Sequence, residues 1–322
     1  MSNSRDVVIL LATYNGAKFI AAQIDSILKQ ALSNWNLWIR DDGSTDDTIN
    51  IIKDYCRKDN RIKLIVDEER NLGACGNFLK LMAEAQRSSV ASYFAFADQD
   101  DVWKPNKLEL LLDEMERIEP HAKGLPILVH SNFSVVSEDL AILKRSHHAK
   151  IIDKMGAVCS PNRLLIQNVV TGCTALFNRN LLKKSLPVPE AVVMHDWWLA
   201  LVAGLFGKIG YVDEPLVLYR QHSSNCLGIE MRNLNKGFSG FFVKLKVALD
   251  RKLLTRDLNQ TVVMAEVALN SYSGSLDNKQ KNLLSIVSGL KQKGFWAKRA
   301  SIIKYQLFRP YLIGNIAMFL RW

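Results

Sequence analysis

The sequence lacks the features that mark a secreted, membrane-spanning or zinc-binding protein. Its five cysteines are an odd number without Cys-x-x-Cys spacing, which excludes a regular disulfide framework and a common zinc site. The N-terminus has no basic start followed by a long apolar run, so we predict neither a signal peptide nor an N-terminal anchor. No stretch reaches the ~18 uninterrupted apolar residues of a membrane span. These absences favour a protein of the reducing cytoplasm.

An even distribution of charge is also missing. The formal net charge is +10 over 322 residues. Residues 227–322 hold 16 Lys and Arg against 5 Asp and Glu, a net of +11, and residues 1–226 hold the other 26 against 27, a net of −1. With 48% hydrophobic residues, the chain can bury one large core and a smaller appendage. We therefore predict a domain of residues 1–226 and a basic helical region of residues 227–322.

Strand and helix patterns alternate through the first part of the chain. The short apolar blocks "VVILLA", "NLWIR", "IKLIV" and "YFAFA" are separated by segments with helical spacing, such as "AKFIAAQIDSILKQ". Ser44 or Thr45 is predicted to cap the second helix. Further strands are expected at "ILVHSNFSVV", "TALFN" and "KIGYVDEPLVLYR", and a helix just after Asp196. This order predicts an α/β fold with a Rossmann-like, mostly parallel sheet flanked by helices and a C-terminal helical extension.

Acidic residues stand where two of these strands end. Ligands of open α/β sheets lie beyond the carboxyl ends of the strands, so both acidic groups are expected at one rim. The negative charge of clustered carboxylates can be neutralised by Mg²⁺ or Mn²⁺, which also coordinates oxygens of a diphosphate. The alternative is a solvated turn in which Asp101 caps the next helix. The residues expected at the rim are Tyr14, Asp41, Asp42, Asn71, Gly73 and Asp98 to Asp101.

The stretch "RDDGSTDD" admits two interpretations. A carboxylate at the rim can accept a hydrogen bond from the N3–H of uracil or thymine, which makes Asp42 a candidate reader of the nucleobase. Alternatively the stretch is a turn followed by a helix cap, because Asp, Gly and Ser are the preferred turn residues.

Five motifs in this order resemble glycosyltransferase family 2: "LLATYNGAKFIAAQIDSILKQ", "LWIRDDGSTDDT", "NLGACGNF", "FADQDDVWKPNKLE" and "HDWW". The resemblance covers residues 7–222 and implies an inverting enzyme of the GT-A fold that uses nucleotide-diphosphate sugars. "DQDDVW", "HSNFSVV" and "VTGCTALF" look most like bacterial rhamnosyltransferases of surface polysaccharide synthesis, such as that of O-antigen or capsule. They imply transfer of rhamnose from dTDP-rhamnose to a polysaccharide or lipid-linked glycan.

The donor has an alternative because one motif departs from that group. Its members often carry HSD where this chain has His130, Ser131 and Asn132, and the departure removes a carboxylate from an expected sugar-side position. A UDP-sugar, carrying glucose, galactose or N-acetylhexosamine, is therefore the second donor class.

The resemblance implies roles for individual residues. Nucleotide binding is expected of Thr13, Tyr14, Asp42, Asn71 and Asp98. The expected ligands of Mg²⁺ or Mn²⁺ are Asp98, Asp100, Asp101 and His222, and which aspartate binds the metal directly is left open.

Asp196 of "MHDWWLAL" matches the family's catalytic base. An inverting transfer needs a carboxylate that takes the proton of the acceptor hydroxyl as its oxygen attacks the anomeric carbon. Alternatively Asp196 caps a helix that carries Trp197 and its neighbours into the core. Arg220, Trp103 and Trp197 are further candidates for contacts with the diphosphate or the acceptor, although a His-Arg pair such as Arg220 and His222 is often structural.

The remaining histidines give no metal pattern. His147 and His148 lie in the basic stretch "KRSHHAK" and are expected on a surface loop.

Residues 291–322 mix Lys and Arg with aromatic and aliphatic residues at roughly helical intervals. This composition favours a helix at a membrane surface, with cations near anionic headgroups. The alternatives are a packing helix, a partner-binding helix and a nucleic-acid site, for which no supporting motif is present. The expected location is the cytoplasm, at the inner face of the inner membrane.

Two other functions compete with glycosyl transfer. A nucleotidyltransferase usually has a Gly-rich loop with Arg and Lys after the first strand, and "LLATYNGAK" is not such a loop. A basic adaptor that binds membrane or nucleic acid would leave the acidic rim unexplained.

Overall fold

Four parallel strands, formed by the short apolar blocks, make up one half of the sheet. The computed structural model describes residues 5–147, 159–222, 251–309 and 312–322. Strand β1 (Val7–Thr13) pairs in parallel with β2 (Trp35–Asp41) and β4 (Tyr93–Asp98), and β2 pairs in parallel with β3 (Ile62–Ile65). Strands β1 and β4 are buried on both faces, which is why their sequences are continuous apolar runs.

Helices connect these strands as the helical spacing predicts. They are α1 (Ile20–Leu28), α2 (Thr48–Lys58) and α3 (Gly73–Ser88). Helix α1 buries its isoleucines, and α3 packs against β1 and β2.

The second half of the sheet is mixed. Its order is β3-β2-β1-β4-β8-β6-β9-β5, with β7 beside β6. Strand β8 runs antiparallel to β4 and β6, β5 runs antiparallel to β9, and the long β6–β9 pair is parallel. The sheet therefore matches the predicted α/β class with antiparallel strands added. These elements are β5 (Val102–Trp103), α4 (Lys107–Ile118), β6 (Ile127–Val136), β7 (Ile142–Lys144), β8 (Ala175–Asn178) and β9 (Lys208–Arg220).

The remaining described helices are α5 (Pro161–Leu164), α6 (Arg179–Ser185), α7 (His195–Phe206), α8 (Arg251–Tyr272), α9 (Asn278–Ser288), α10 (Phe295–Lys304) and α11 (Leu312–Arg321). Helix α7 begins at His195, one residue before the predicted start region, so Asp196 lies in its first turn.

The predicted cap of α2 is wrong. Asp47 precedes the helix and makes no side-chain capping bond. Ser44 instead donates its hydroxyl to Asp41, and the Thr45 N–H donates to Asn15 Oδ1 at 2.8 Å. Both residues close the turn after β2, which satisfies polar groups of that turn rather than of the helix.

The chain divides into two compact units. The first comprises residues 1–152, 170–187 and 194–228 and contains the sheet. The second comprises residues 153–169, 188–193 and 229–322 and contains α5 and α8 to α11. The predicted boundary at residue 226 lies outside the described residues, so the division at that position stays a prediction.

Within the described ranges, no helix combines the length and apolarity needed to cross a bilayer.

Candidate active site

The carboxyl ends of β1, β2 and β4 bring the predicted rim residues together. In the parallel register Thr13 pairs with Asp41, and Ala12 pairs with Asp98. The last residues of the three strands therefore lie side by side at one edge of the sheet. This placement follows from strand direction, as the sequence predicts.

Gln99 connects the loop after β1 to the acidic loop after β4, which comprises residues 98–101. Its Oε1 accepts from the Thr13 hydroxyl at 2.5 Å and from the Tyr14 N–H at 2.9 Å, while its Nε2 donates to the Tyr14 carbonyl at 3.0 Å. Tyr14 keeps 47% of its surface exposed, so its ring is available to a ligand. Sequence reasoning missed Gln99; the signal was its place between the two aspartates of "DQD".

Asp42 holds the turn that begins α3. Its carboxylate accepts hydrogen bonds from the N–H groups of Leu72 at 3.0 Å and Gly73 at 2.8 Å. Arg40 Nη1 also donates to Asp42 Oδ1 at 3.3 Å. The Asn71 N–H donates to the Asp42 carbonyl at 3.0 Å, and Asn71 has a φ of 57°. Asp42 is buried, and its contacts here are structural; base reading by Asp42 stays a prediction.

Asp98 and Asp101 share a buried cluster with Cys173. One ligand atom from each of the three residues lies within 4.8 Å of the others. Asp101 Oδ1 accepts the Arg220 N–H at 3.1 Å, but Asp101 Oδ2 is buried and accepts from no N–H or O–H of the described residues. Asp101 therefore does not cap α4, which is preceded by Asn106.

The cluster fits a hard divalent cation. Burial and the nearby Asp100 carboxylate raise the pKa of Asp98 and of Asp101, and an added positive charge would offset this repulsion. The Oδ2 of Asp101, which accepts from no N–H or O–H of the described residues, supplies an oxygen suited to Mg²⁺ or Mn²⁺. Burial raises the pKa of the Cys173 thiol, so its sulfur stays protonated and is a poor ligand for such a cation.

Lys107 places a buried amine next to the cluster. Its Nζ donates to the Cys173 carbonyl at 2.7 Å and lies 3.1 Å from the centre of the Trp103 ring. Burial lowers the pKa of Lys107 to about 7, against the opposing attraction of Asp101 and Asp98. Trp103 is itself buried. Lys107 was not predicted, because its role depends on contacts across 66 residues of sequence.

The end of β9 meets the acidic loop at Asp100. His222 Nε2 lies 2.8 Å from Asp100 Oδ2, and Arg220 Nε donates to the Asp100 carbonyl at 2.7 Å. The Phe19 ring packs against both, with its centroid 4.7 Å from the His222 ring and 4.8 Å from the Arg220 guanidinium. Arg220 and His222 therefore both contact the acidic loop.

Asp196 lies in the first turn of α7 and accepts the Gly172 N–H at 3.0 Å. Burial raises the pKa of Asp196 to about 6. Its charge is felt by Asp98, whose pKa it raises further, so both carboxyls belong to one electrostatic site. Met194 occupies the position before the helix, so the alternative of Asp196 as the capping residue is not the one observed.

The neighbours of Asp196 are apolar or neutral. Burial lowers the pKa of His195 to about 3, and its ring stacks on Phe78 at 4.1 Å, so it is neutral at physiological pH. Trp197 and Trp198 are buried, and Trp198 Nε1 donates to the Ser185 carbonyl at 3.0 Å.

Asn132 does not face the acidic rim as an exposed sugar-side residue. It is buried, its Nδ2 donates to Ser146 and to Asp213, and its Oδ1 accepts the N–H groups of Phe133 and His147. An aspartate here would repel Asp213 and could not donate, which is a structural reason for the asparagine.

His147 departs from the predicted surface position, because it is half-buried and stacks on Phe133 at 4.4 Å. His148 lies outside the described residues.

The family model described as glycosyl transferase family 2 matches residues 8–186. The chain is 28% identical over 227 residues to the dTDP-rhamnosyl transferase RfbG of Shigella flexneri, covering 68% of this chain and 73% of the relative. It is 31% identical over 177 residues to the UDP-Glc:alpha-D-GlcNAc-diphosphoundecaprenol beta-1,3-glucosyltransferase WfgD of Escherichia coli, covering 55% and 61%.

Solved structures with a similar fold include S. aureus TarS 1-349 in complex with UDP-GlcNAc. The TM-score is 0.56 at 14% identity, covering 98% of this chain and 89% of that chain. The mannosyltransferase PcManGT from Pyrobaculum calidifontis, in complex with GDP-Man and Mn²⁺, gives a TM-score of 0.53 at 16% identity, covering 92% and 73%. At these identities the likeness is one of fold.

Proposed function

The chain belongs to glycosyl transferase family 2, and from that premise we propose that it transfers rhamnose from dTDP-rhamnose to a polysaccharide or lipid-linked glycan. The family, the GT-A fold and the glycosyltransferase class predicted from the motifs are confirmed. The placement of Asp98, Asp100 and Asp196 in one electrostatic site carries the proposal. The relative RfbG supports the rhamnose donor.

Asp196 acts as the base in the proposed reaction. The acceptor oxygen forms a bond to the anomeric carbon while the bond from that carbon to the diphosphate oxygen breaks. The acceptor proton passes to an Asp196 oxygen, and the nucleoside diphosphate leaves with the bonding electron pair. Attack from the side opposite the leaving group inverts the anomeric configuration.

The residues after β1, β2 and β4 bind the donor. Tyr14 and Asp42 hold the base, Asp42 with a carboxylate already oriented by two backbone N–H groups. Asn71 faces the nucleotide, and Asp98 contacts the ribose. An Mg²⁺ or Mn²⁺ ion held by the aspartates of the acidic loop, with His222 beside them, would supply positive charge against the diphosphate.

A UDP-sugar is the second candidate donor, and the relative WfgD, which uses UDP-Glc, favours it. The same relative acts on a diphosphoundecaprenol-linked sugar, which supports a lipid-linked acceptor and a place at the inner face of the membrane.

A donor panel tests this proposal. The purified protein with Mn²⁺ is mixed with dTDP-rhamnose, UDP-glucose, UDP-galactose or UDP-GlcNAc, and the melting temperature and the release of nucleoside diphosphate are measured. We expect the largest stabilisation and release with dTDP-rhamnose. A response to a UDP-sugar alone would move the assignment to the second candidate, and no response to any donor would overturn the proposal.

A further inference from the structure

Two neighbouring helices of the second unit expose apolar side chains to solvent. On α10, Trp296 is 79% exposed and Ile303 is 59% exposed, and with Ala300 they follow the i, i+4, i+7 spacing of one helix face. On α11, Ile316, Phe319 and Leu320 are exposed at i, i+3 and i+4. We call these side chains the Trp296 patch: Phe295, Trp296, Ile303, Ile316, Phe319 and Leu320.

Arg299 lies against an aromatic ring of each helix. This buried guanidinium donates to the Trp322 carbonyl at 2.6 Å and to the Phe295 carbonyl at 3.0 Å. Its central carbon lies 3.4 Å from the Phe295 ring centre and 5.8 Å from that of Phe319. Phe295 of α10 and Phe319 of α11 therefore lie against the same guanidinium.

The exposed side chains are not the packing face of these helices. Ile302 of α10, and Ala317 and Met318 of α11, are buried. Packing within the described part of the chain is thus provided by other positions. An exposed apolar patch of this kind marks an interaction surface.

The charge around the patch selects its partner. Residues 278–322 contain no Asp or Glu. Their nine cations are Lys279, Lys281, Lys291, Lys293, Lys298, Arg299, Lys304, Arg309 and Arg321, of which Arg299 is buried and Arg309 pairs with Asp257. A second copy of this segment would bring like charges together, which disfavours self-association through it. A bilayer surface with anionic headgroups offers both the apolar boundary and the opposite charge.

We propose that the Trp296 patch binds the surface of an anionic phospholipid bilayer. Trp296 and Ile303 enter the boundary between headgroups and acyl chains, where Trp is favoured, and the exposed Lys304 at the edge of this helix face meets lipid phosphates. The inference deepens the proposed function, because it rests on a membrane-bound acceptor and names the side chains that reach that membrane.

Vesicle sedimentation tests the inference without any sugar donor, so its failure is distinguishable from failure of the proposed transfer. The full chain is spun with phosphatidylglycerol–phosphatidylcholine vesicles and with pure phosphatidylcholine vesicles. We expect binding to the anionic vesicles that weakens with salt, and at least tenfold weaker binding to the neutral ones.

Matched variants separate the apolar and the charged contributions. Trp296→Ser with Ile303→Ser should weaken anionic-vesicle binding about tenfold, and Lys304→Gln should weaken it about fivefold. The controls Val90→Ser and Lys123→Gln with Lys183→Gln change exposed residues elsewhere and should leave binding unchanged. Circular dichroism checks that each variant is folded.

Three outcomes would overturn the inference. They are absence of binding to anionic vesicles, equal loss in the control variants, and concentration-dependent dimers that Trp296→Ser abolishes in a chain that ignores vesicles. The last outcome would assign the patch to a second copy.

Discussion

At the scale of residues, the site is a set of buried acids that lie next to a buried amine or accept hydrogen bonds from the backbone. Lys107 lies next to Asp98 and Asp101, and the Gly172 N–H orients Asp196. An acid kept in such surroundings titrates away from its ordinary range, which gives the site a measurable pH dependence.

Asp196 should impose an acidic limb on the pH profile. Its pKa is raised to about 6 by burial, and only the ionised carboxylate can accept the acceptor proton. We expect kcat/KM to be level above this pH and to fall about tenfold per pH unit well below it. The profile is measured between pH 5 and 8, with circular dichroism confirming the fold at each pH. A profile that stays level down to pH 5, as an aspartate with its ordinary pKa near 4 would give, would contradict the buried environment.

Asp100→Asn should weaken metal-dependent donor binding. The amide retains the size of the carboxylate and can still bond to His222, but it loses the negative charge that a divalent cation requires. We expect the rise in melting temperature that Mn²⁺ and donor give the wild type to be lost, with Mn²⁺ affinity at least tenfold lower. Asp54→Asn, an exposed acid on α2, is the control and should behave as the wild type. Retained Mn²⁺ dependence in Asp100→Asn would exclude Asp100 as a ligand.

Gln99→Ala should raise the donor KM about tenfold with a smaller effect on kcat. The change removes three hydrogen bonds that tie Thr13 and Tyr14 to the acidic loop, each worth about 0.5–1.5 kcal/mol. Gln99→Glu retains the acceptor but not the donor and should be intermediate. Gln86→Ala, on the exposed side of α3, is the control. Unchanged steady-state kinetics in Gln99→Ala would show that this connection does not shape the donor site.

The sequence predicts the acids of the site but not their supports. Asp98, Asp100 and Asp196 stand out because charge follows an apolar strand or opens an apolar helix. Lys107 and Gln99 make contacts that no local pattern encodes, since their partners lie 66 and 85 residues away. Asn132 shows the opposite error. Its motif position was expected on the sugar side, but its side chain is buried and makes four hydrogen bonds.

At the scale of elements, strand ends and helix starts place every candidate side chain. Parallel strands β1, β2 and β4 end at one edge, α7 begins with Asp196, and β9 ends at Arg220. The apolar blocks and their spacing predict these strands and helices well. The antiparallel place of β8 between β4 and β6 could not be predicted, because strand order depends on long-range pairing.

Gly207 forms the tight connection between α7 and β9. A Cβ there would lie 1.7 Å from the Pro126 carbonyl oxygen, which accepts the Lys208 N–H at 3.0 Å. We expect Gly207→Ala to lower the free energy of unfolding by roughly 1–3 kcal/mol through overpacking. The measurement is denaturant unfolding. Gly274→Ala, which would meet nothing within 4 Å, is the matched control, and equal stability of the two variants would contradict this account.

At the scale of the whole molecule, chemistry and charge occupy different parts of the sequence. The family match and all of the predicted site residues except Asp196, Trp197, Arg220 and His222 fall within residues 8–186, whereas residues 227–322 carry a net of +11. The composition predicts this asymmetry directly. It could not predict which side chains of the basic region are exposed, because exposure depends on how α10 and α11 pack.

The central claim is that Asp196 is the base of a glycosyl transfer rather than part of the fold. Its most direct test is the comparison of wild type with Asp196→Asn for donor binding and for transfer to a membrane-extracted acceptor in the presence of Mn²⁺. We predict donor affinity within about threefold of wild type and transfer reduced by at least a hundredfold, as expected when a proton acceptor is removed from the transition state. Near wild-type transfer by Asp196→Asn would contradict the account.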